Sequence, residues 1–365
     1  MRVWPVRLPV RTWLARSSVP WAILGLGLVA VAWAKLLFTP GELLQRDLEY
    51  PLFATDIFGD FYPLLAADGR SALGHLSLTP VFAAVALVLN VFGGTSGGAI
   101  RWLIIGQSLV AFLSMFTLYR LMSARVRIPE FSTNIGALGA GMFYALNPWA
   151  IARVEHLGLL FGYSLLPLVI GLAVLAVSRR SIRLAISVGL VGALLAASPH
   201  YLVFTTLLLA LTGVYSLARQ RSRRHLMLLA RLATAGGLAF IGLQMFLILP
   251  TLASAWLSGE LPAELAATAE DVAVSRGAVS PVALMTLTNN PVWSGNMRPG
   301  GQAVWIWSLV GLLPLGALIW SAVRRGSASS IGYLFLALAL FVLALETMLE
   351  IEAGSGLTGF LIAHL

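Results

Sequence analysis

Carboxylates are concentrated in one short stretch of this sequence, immediately after its first long apolar run. Charged groups are costly near hydrocarbon, so a membrane protein that gathers carboxylates in one loop is expected to use them on a cation, a proton or a polar substrate. Five of the fifteen acidic residues belong to this stretch: Asp47, Glu49, Asp56, Asp60 and Asp68.

Composition predicts a membrane protein. Hydrophobic residues make up 59% of the 365 residues and charged residues only 11%, whereas about a quarter of the residues in a soluble domain are charged. The sequence therefore predicts an all-α, polytopic transmembrane protein. It has no cysteine, which excludes disulfides, thiolate metal sites and cysteine nucleophiles. The net charge of +9 does not predict a nucleic-acid partner, because the arginines lie in short loops between apolar runs.

Nine apolar runs are long enough for membrane helices of about 20 residues. A tenth run, residues 78–93, is shorter and is entered by Thr79 and Pro80. We predict that this run lies along the outer surface of the membrane without crossing it. The nine predicted spans lie near residues 20–38, 100–121, 134–150, 157–178, 183–198, 200–217, 226–249, 302–323 and 330–349.

The distribution of charge predicts the orientation. With a cytoplasmic N-terminus and no crossing by residues 78–93, 17 of the 24 basic residues fall inside, and Glu130 is the only acid there. If residues 78–93 crossed, every later arginine cluster would lie outside, against the positive-inside rule. We therefore expect the N-terminus to lie in the cytoplasm and the acidic stretch to lie outside. A secretory signal cleaved after Ala32-Trp33-Ala34 is an alternative to an uncleaved first span.

We expect a single membrane domain over residues 1–365, with long outer loops at 39–99 and 251–301. Because the sequence ends on the apolar segment GSGLTGFLIAHL, we expect it to continue C-terminally in a longer protein. A very short outer connection carries Arg153, Glu155 and His156. Such side chains between two apolar spans are costly unless they pair or face a polar cavity.

A resemblance rests on the order of these elements. An acidic outer loop, the run TPVFAAVALVLNVFGG leading to Arg101, and the string YALNPWAIARVEHLGLLFGYSLLPL resemble the GT-C class of membrane glycosyltransferases over roughly residues 20–175. The likeness is greatest to arabinofuranosyltransferase-like and related bacterial and archaeal members. It implies a GT-C-like fold, a polyprenyl-phosphate sugar donor bound at the outer face, and an acidic base in the first outer loop. PGELLQRDLEYPLF resembles the loop entry, which makes Asp47 the match for that base. Unlike the adjacent acid pair of some branches, Asp47 and Glu49 are separated by Leu48.

The chemistry of sugar transfer also selects candidate residues. A base must take the proton of the acceptor hydroxyl, and positive charge must stabilise the leaving phosphate. Asp47 is the first candidate base and Asp60 the second. Asp56 and Asp60 are four residues apart, so they share a face if that stretch is helical, and their oxygens suit Mg²⁺ or Mn²⁺. The candidates for binding the lipid-linked donor, its phosphate, or a cell-envelope glycan or lipid acceptor are Arg70, His75, Arg153, Glu155, His156, Tyr163 and His200.

Simpler interpretations stand beside these. The acids could form a solvated outer surface, Asp60 in FGDFYP could cap a helix, and Arg153 with Glu155 could be a surface ion pair. His200 could be an interhelical hydrogen-bonding group. For the whole protein, a transporter or flippase of lipid-linked sugars and a non-catalytic membrane subunit remain alternatives to the transferase.

Overall fold

The computed structural model describes residues 16–38, 88, 96–124, 129–147, 150–151, 154, 157–195 and 199–258. Within these ranges the chain forms helices and turns, with no strand. A 3₁₀ turn at Arg16–Ser18 leads into the first helix. The helices are α1 (Val19–Ala32), α2 (Ala34–Phe38), α3 (Ser96–Ser123), α4 (Glu130–Leu146), α5 (Leu157–Arg179), α6 (Ile182–Leu195), α7 (Pro199–Arg219) and α8 (Arg223–Ser258).

Seven of the nine predicted spans coincide with these helices. Three of the described helices are long and apolar enough to cross a membrane: Ile100–Ser123 in α3, Leu160–Arg179 in α5 and Arg223–Met245 in α8. They support an integral membrane protein. The spans predicted at 302–323 and 330–349 lie outside the described residues, as does the run 78–93 except for Val88.

The α8 helix is longer than the sequence predicts. The apolar run ends at Leu249, before Pro250, but the helix continues through Pro250 to Ser258. Proline removes one backbone hydrogen bond, yet long membrane helices tolerate it because neighbouring groups satisfy the freed carbonyl.

Two compact units divide the chain. One comprises residues 1–146 and 153–260 and contains all eight helices. The other comprises 147–152 and 261–365, of which Asn147, Ala150 and Ile151 are described. In that second unit Asn147 begins a helical turn, because its side-chain oxygen accepts a hydrogen bond from the Ala150 amide at 3.1 Å.

Phe112 of α3 forms the centre of the first helix cluster. Its side chain is fully buried and packs with Val29 of α1 and Ala137 of α4. The ring lies directly against Gly25 and Gly141: a Cβ on Gly141 would stand 2.7 Å from Phe112 Cδ2, and a Cβ on Gly25 would overlap the ring. The two glycines therefore let α1 and α4 approach α3 around one aromatic side chain.

Polar contacts fix the directions of the first helices. The Ser17 hydroxyl donates to the Glu130 carboxylate, and Trp21 meets Phe131 edge to face with ring centroids 5.7 Å apart. The starts of α1 and α4 therefore lie together, and these helices run parallel. The Arg120 guanidinium donates to the Asn134 side-chain oxygen, which brings the end of α3 to the start of α4.

The α5 helix runs parallel to α3. The Ser114 hydroxyl donates to the Ser164 carbonyl at 2.7 Å, and further along a Cβ on Gly171 would lie 3.8 Å from Leu118. At the end of α5 the chain reverses within two residues. Arg180 adopts φ 51°, and the amides of Arg180 and Ser181 donate to the carbonyls of Val177 and Ala176 at 3.3 and 3.0 Å. These bonds form a Schellman motif.

The helices α6 and α8 run parallel in close contact. A Cβ on Gly236 would lie 2.9 Å from the Ala185 carbonyl oxygen, and a Cβ on Gly189 would overlap the Gly236 carbonyl. Farther along, the Gln244 amide donates to the Ala193 carbonyl. Small residues at such crossings let membrane helices pack backbone to backbone.

These contacts place the helix ends at two opposite ends of the bundle. The starts of α1, α4, α6 and α8 and the ends of α3, α5 and α7 lie at one end, which we call the arginine end. The end of α1, the start of α3, the end of α4 and the start of α5 lie at the opposite end. The chain therefore leaves the described helices before residue 39 and enters them again after residue 95 at the same end.

Candidate functional site

Most predicted site residues lie outside the described part of the chain. These residues are Asp47, Asp56, Asp60, Arg70, His75, Arg153, Glu155 and His156. His200 lies in the first turn of α7, and its side chain is also outside the described part. Tyr163 is the predicted site residue whose side-chain contacts are described. It lies near the start of α5, at the opposite end from the arginine turns.

Tyr163 forms a reciprocal pair with Tyr144 of α4. The two rings stack nearly parallel, with centroids 4.1 Å apart and an interplanar angle of 8°. Each hydroxyl donates to the main-chain carbonyl of the other residue at 2.8 Å. The Tyr163 hydroxyl, predicted to contact sugar or lipid, thus donates its proton within the bundle.

Pro167 explains why Tyr163 needs such a partner. In a helix, the carbonyl of Tyr163 would accept from the amide of residue 167, but proline has no N–H. The Tyr144 hydroxyl fills that position from the neighbouring helix. In return, the Tyr163 hydroxyl satisfies the Tyr144 carbonyl, which lies in the last turn of α4, where carbonyls lack partners within the helix.

A second neighbouring helix, α3, contacts α5 at the next residue. Ser164 follows Tyr163 and precedes Pro167, and its carbonyl accepts from the buried Ser114 hydroxyl of α3 at 2.7 Å. The Ser164 hydroxyl in turn donates to the Phe161 carbonyl at 2.8 Å. The Tyr163 and Ser164 carbonyls therefore both accept hydrogen bonds from side chains of other helices, and at Tyr163 this bond replaces the amide that Pro167 lacks.

Uncharged polar side chains also lie in the interior of the bundle along α3. Gln107 and Ser108 are buried, and the Ser108 hydroxyl donates to the Ile104 carbonyl at 3.0 Å. Arg101, the second residue of Ile100–Ser123, is half-buried near the opposite end. The described helices therefore contain buried, uncharged polar groups in α3 as well as around Tyr163, and Arg101 lies nearer the opposite end.

The sequence also predicts a site for Mg²⁺ or Mn²⁺ made of carboxylates. Among the residues that the structure describes, no three His, Asp or Glu side chains lie close enough to hold a metal ion. The candidate ligands Asp56 and Asp60 lie outside that part of the chain. Their oxygens are the donors that Mg²⁺ and Mn²⁺ prefer.

No family model, curated protein or solved structure matches this chain. Its function must therefore be argued from the positions and chemistry of its own residues.

Sequence reasoning selected Tyr163 but missed its partner Tyr144. The signal was present in the spacing, since Pro167 stands four residues after Tyr163 and leaves that carbonyl without its amide. Which side chain fills the position depends on the packing of α4 against α5, and one sequence does not reveal that packing.

Proposed function

We propose that this protein is a GT-C-like glycosyltransferase with about nine spans. It transfers a sugar from a polyprenyl-phosphate donor to a cell-envelope glycan or lipid at the outer face of a prokaryotic plasma membrane. Its N-terminus is cytoplasmic.

Separation of charge between the two ends of the bundle carries this proposal. The arginine end bears Arg180, Arg183, Arg221, Arg223 and Arg224, and the positive-inside rule assigns that end to the cytoplasm. The acid-rich stretch from Asp47 to Asp68 belongs to the segment that joins the end of α1 to the start of α3. Because both attachment points lie at the opposite end, the proposal assigns these carboxylates to the outer surface.

In the proposed reaction Asp47 acts as general base. Its carboxylate takes the proton of the acceptor hydroxyl while the acceptor oxygen forms a bond to the anomeric carbon of the sugar. The bond from that carbon to the phosphate oxygen breaks, and polyprenyl phosphate leaves with the electron pair. Arg70, Arg153, His75 and His156 stabilise its negative charge.

Supporting roles complete the site. Asp56 and Asp60 would hold Mg²⁺ or Mn²⁺, which would neutralise charge on the leaving phosphate. Asp60 is also the second candidate base. Glu155 orients the neighbouring cations, and Tyr163 and His200 contribute to the walls that bind sugar or lipid.

The proposal is tested with Asp47→Asn. Membranes containing the full chain would be incubated with radiolabelled polyprenyl-phosphate arabinofuranose and a cell-envelope glycan acceptor, and transfer would be measured. We expect the variant to lose about 100-fold or more of the activity, as removal of a general base predicts. Asp68→Asn removes the same charge at the far end of the acidic stretch and should retain activity. Sugar transfer by Asp47→Asn at the wild-type rate would contradict the assignment of Asp47 as the general base.

A flippase or proton-coupled transporter is less well supported. Such proteins use carboxylates within their spans, yet no Asp or Glu occurs anywhere between Leu157 and Ser258. Protein reconstituted in liposomes distinguishes the classes: movement of a labelled polyprenyl-phosphate sugar between leaflets without transfer would favour the flippase. If the chain neither transfers nor moves the donor, a non-catalytic subunit becomes the better assignment.

A further inference from the structure

Two tight turns, α5–α6 and α7–α8, lie at the arginine end. The α5–α6 turn and the first part of α8 are joined beneath by Ala176, Ala185 and Leu232, which are buried together. Six exposed arginines lie on the two turns and the adjoining parts of α6 and α8, and we call them the basic platform: Arg180, Arg183, Arg221, Arg223, Arg224 and Arg231.

The helices that carry the basic platform contain no carboxylate. Between Leu157 and Ser258 the sequence has eight arginines and neither Asp nor Glu. The acid at the same end, Glu130 of α4, accepts a hydrogen bond from Ser17. The positive charge of the platform is therefore not balanced within α5–α8.

Both turns are held in fixed conformations. Arg180 occupies a left-handed conformation in the Schellman motif, and the Ser181 hydroxyl accepts from the Leu184 amide at 3.4 Å to cap α6. In the α7–α8 turn, Ser216 and the buried His225 ring are hydrogen-bonded at 2.9 Å. The Ser222 hydroxyl accepts from the His225 amide at 3.2 Å. The charges therefore sit on a rigid surface, unlike those of a flexible basic tail.

The first two turns of α8 extend beyond the start of α6. Gly236 lies level with the α6 turn between Ala185 and Gly189, so the first residue of α6 lies level with about Arg231. Residues 223–230 therefore project about 12 Å farther, at 1.5 Å per residue. The whole of α8, with 36 residues, measures about 54 Å, well beyond the roughly 30 Å of a hydrocarbon core.

Apolar side chains accompany the arginines on this projection. Leu226 and Met227 are exposed by 51% and 58%, between Arg224 and Arg231. Arginines beside exposed apolar residues at helix ends are typical of segments that lie at headgroup depth, where the apolar groups enter the acyl boundary and the guanidinium groups reach phosphate.

We propose that the basic platform binds anionic phospholipid headgroups of the leaflet that it faces. Guanidinium groups form paired hydrogen bonds with phosphate oxygens, which ammonium groups do not. The platform would hold a small set of anionic lipids against α6 and α8. This role goes beyond setting topology, since topology depends on the count of Lys and Arg and not on a fixed geometry.

The test uses the purified full chain in nanodiscs. One set contains phosphatidylcholine alone, and the other contains phosphatidylcholine mixed with phosphatidylglycerol. We expect phosphatidylglycerol to raise the melting temperature of the wild type, and native mass spectrometry to show it retained in preference to phosphatidylcholine. Each arginine replaced by glutamine should lower the apparent affinity for phosphatidylglycerol about fivefold.

Two matched variants separate this proposal from simpler effects. Replacing Arg183, Arg223 and Arg224 together by lysine keeps the number of positive charges that sets topology. Its phosphatidylglycerol retention should lie between that of the wild type and that of the triple glutamine variant, in which the same three arginines are replaced by glutamine. Lys35→Gln removes one charge at the opposite end and should leave retention unchanged.

Three results would overturn the proposal. The first is equal stability in the two kinds of nanodisc, and the second is full retention of phosphatidylglycerol by the triple glutamine variant. The third is equal stabilisation by inorganic phosphate at matched ionic strength, which would indicate a generic anion effect.

Discussion

Tyr144 and Tyr163 satisfy each other's backbone carbonyls. Their rings stack 4.1 Å apart, and the two hydroxyl-to-carbonyl distances are both 2.8 Å. This exchange joins the last turn of α4 to the turn of α5 that precedes Pro167. The two helices flank the short connection that carries Arg153, Glu155 and His156, so the pair sets the spacing at which that connection begins and ends.

Tyr144→Phe should destabilise the protein by leaving the Tyr163 carbonyl without a donor. We expect the free energy of unfolding to fall by about 1–3 kcal/mol, the usual cost of an unsatisfied buried polar group. Unfolding of the full chain in mixed micelles measures the change.

The same Tyr144→Phe change should also be made in a variant that carries Pro167→Ala. Alanine restores the amide that the Tyr163 carbonyl lacks, so Tyr144→Phe should cost clearly less in that background than in the wild type. An identical cost in both backgrounds would show that the proline is not the reason for the pair.

The crossing of α6 and α8 predicts different outcomes for two glycines on one helix. Gly189→Ala would drive a methyl group into the Gly236 carbonyl, so we expect a loss of about 1–3 kcal/mol from overpacking. Gly192→Ala would place its methyl 3.8 Å from the Phe240 ring, an ordinary contact, and should be neutral or slightly stabilising. Thermal unfolding of the two variants makes the comparison, and equal effects would argue against backbone contact at Gly189.

The packing around Phe112 makes a similar prediction for α1. Gly25→Ala would overlap the Phe112 ring and should lower the melting temperature, whereas a Cβ on Gly27 meets nothing within 4 Å, so Gly27→Ala should not. Phe112→Leu should relieve part of the Gly25→Ala cost, because leucine is smaller and more adaptable. Absence of this rescue would show that the cost arises elsewhere.

Arg180→Gly should stabilise the protein while weakening its interaction with lipid. A left-handed backbone costs a non-glycine residue roughly 1–2 kcal/mol, and glycine avoids that cost. We expect higher stability in neutral detergent together with lower phosphatidylglycerol retention. The opposite sign in detergent would mean that the Arg180 side chain supports the turn itself.

The sequence predicted the helices well because their signal is local. A run of apolar residues long enough to span a bilayer leaves little choice of backbone, and α5, predicted at 157–178, is observed at Leu157–Arg179. The end of α8 was predicted less accurately, since Pro250 is a stop signal only where nothing else satisfies the freed carbonyl.

The candidate site could be predicted only as residue types. Acids and cations at span ends are visible in one sequence, but the pairing of Tyr163 with Tyr144 depends on two helices meeting at Pro167. Likewise, Gly189 in α6 and Gly236 in α8 are separated by the whole of α7. Neither glycine on its own indicates in the sequence that the two helices touch there. Asp47, Asp56 and Asp60 remain predictions.

The proline within α5 also has a consequence for biosynthesis. An unsatisfied carbonyl in hydrocarbon costs several kcal/mol, and the Tyr163 carbonyl, which Pro167 leaves without an amide donor, is such a group until the Tyr144 hydroxyl reaches it. Tyr144 belongs to α4, which is made earlier, and α3, made earlier still, adds the hydrogen bond from Ser114 to Ser164. We therefore expect α5 to leave the insertion machinery for the lipid only against an α3–α4 hairpin that is already assembled, so the order of synthesis is also the order in which the bundle becomes stable.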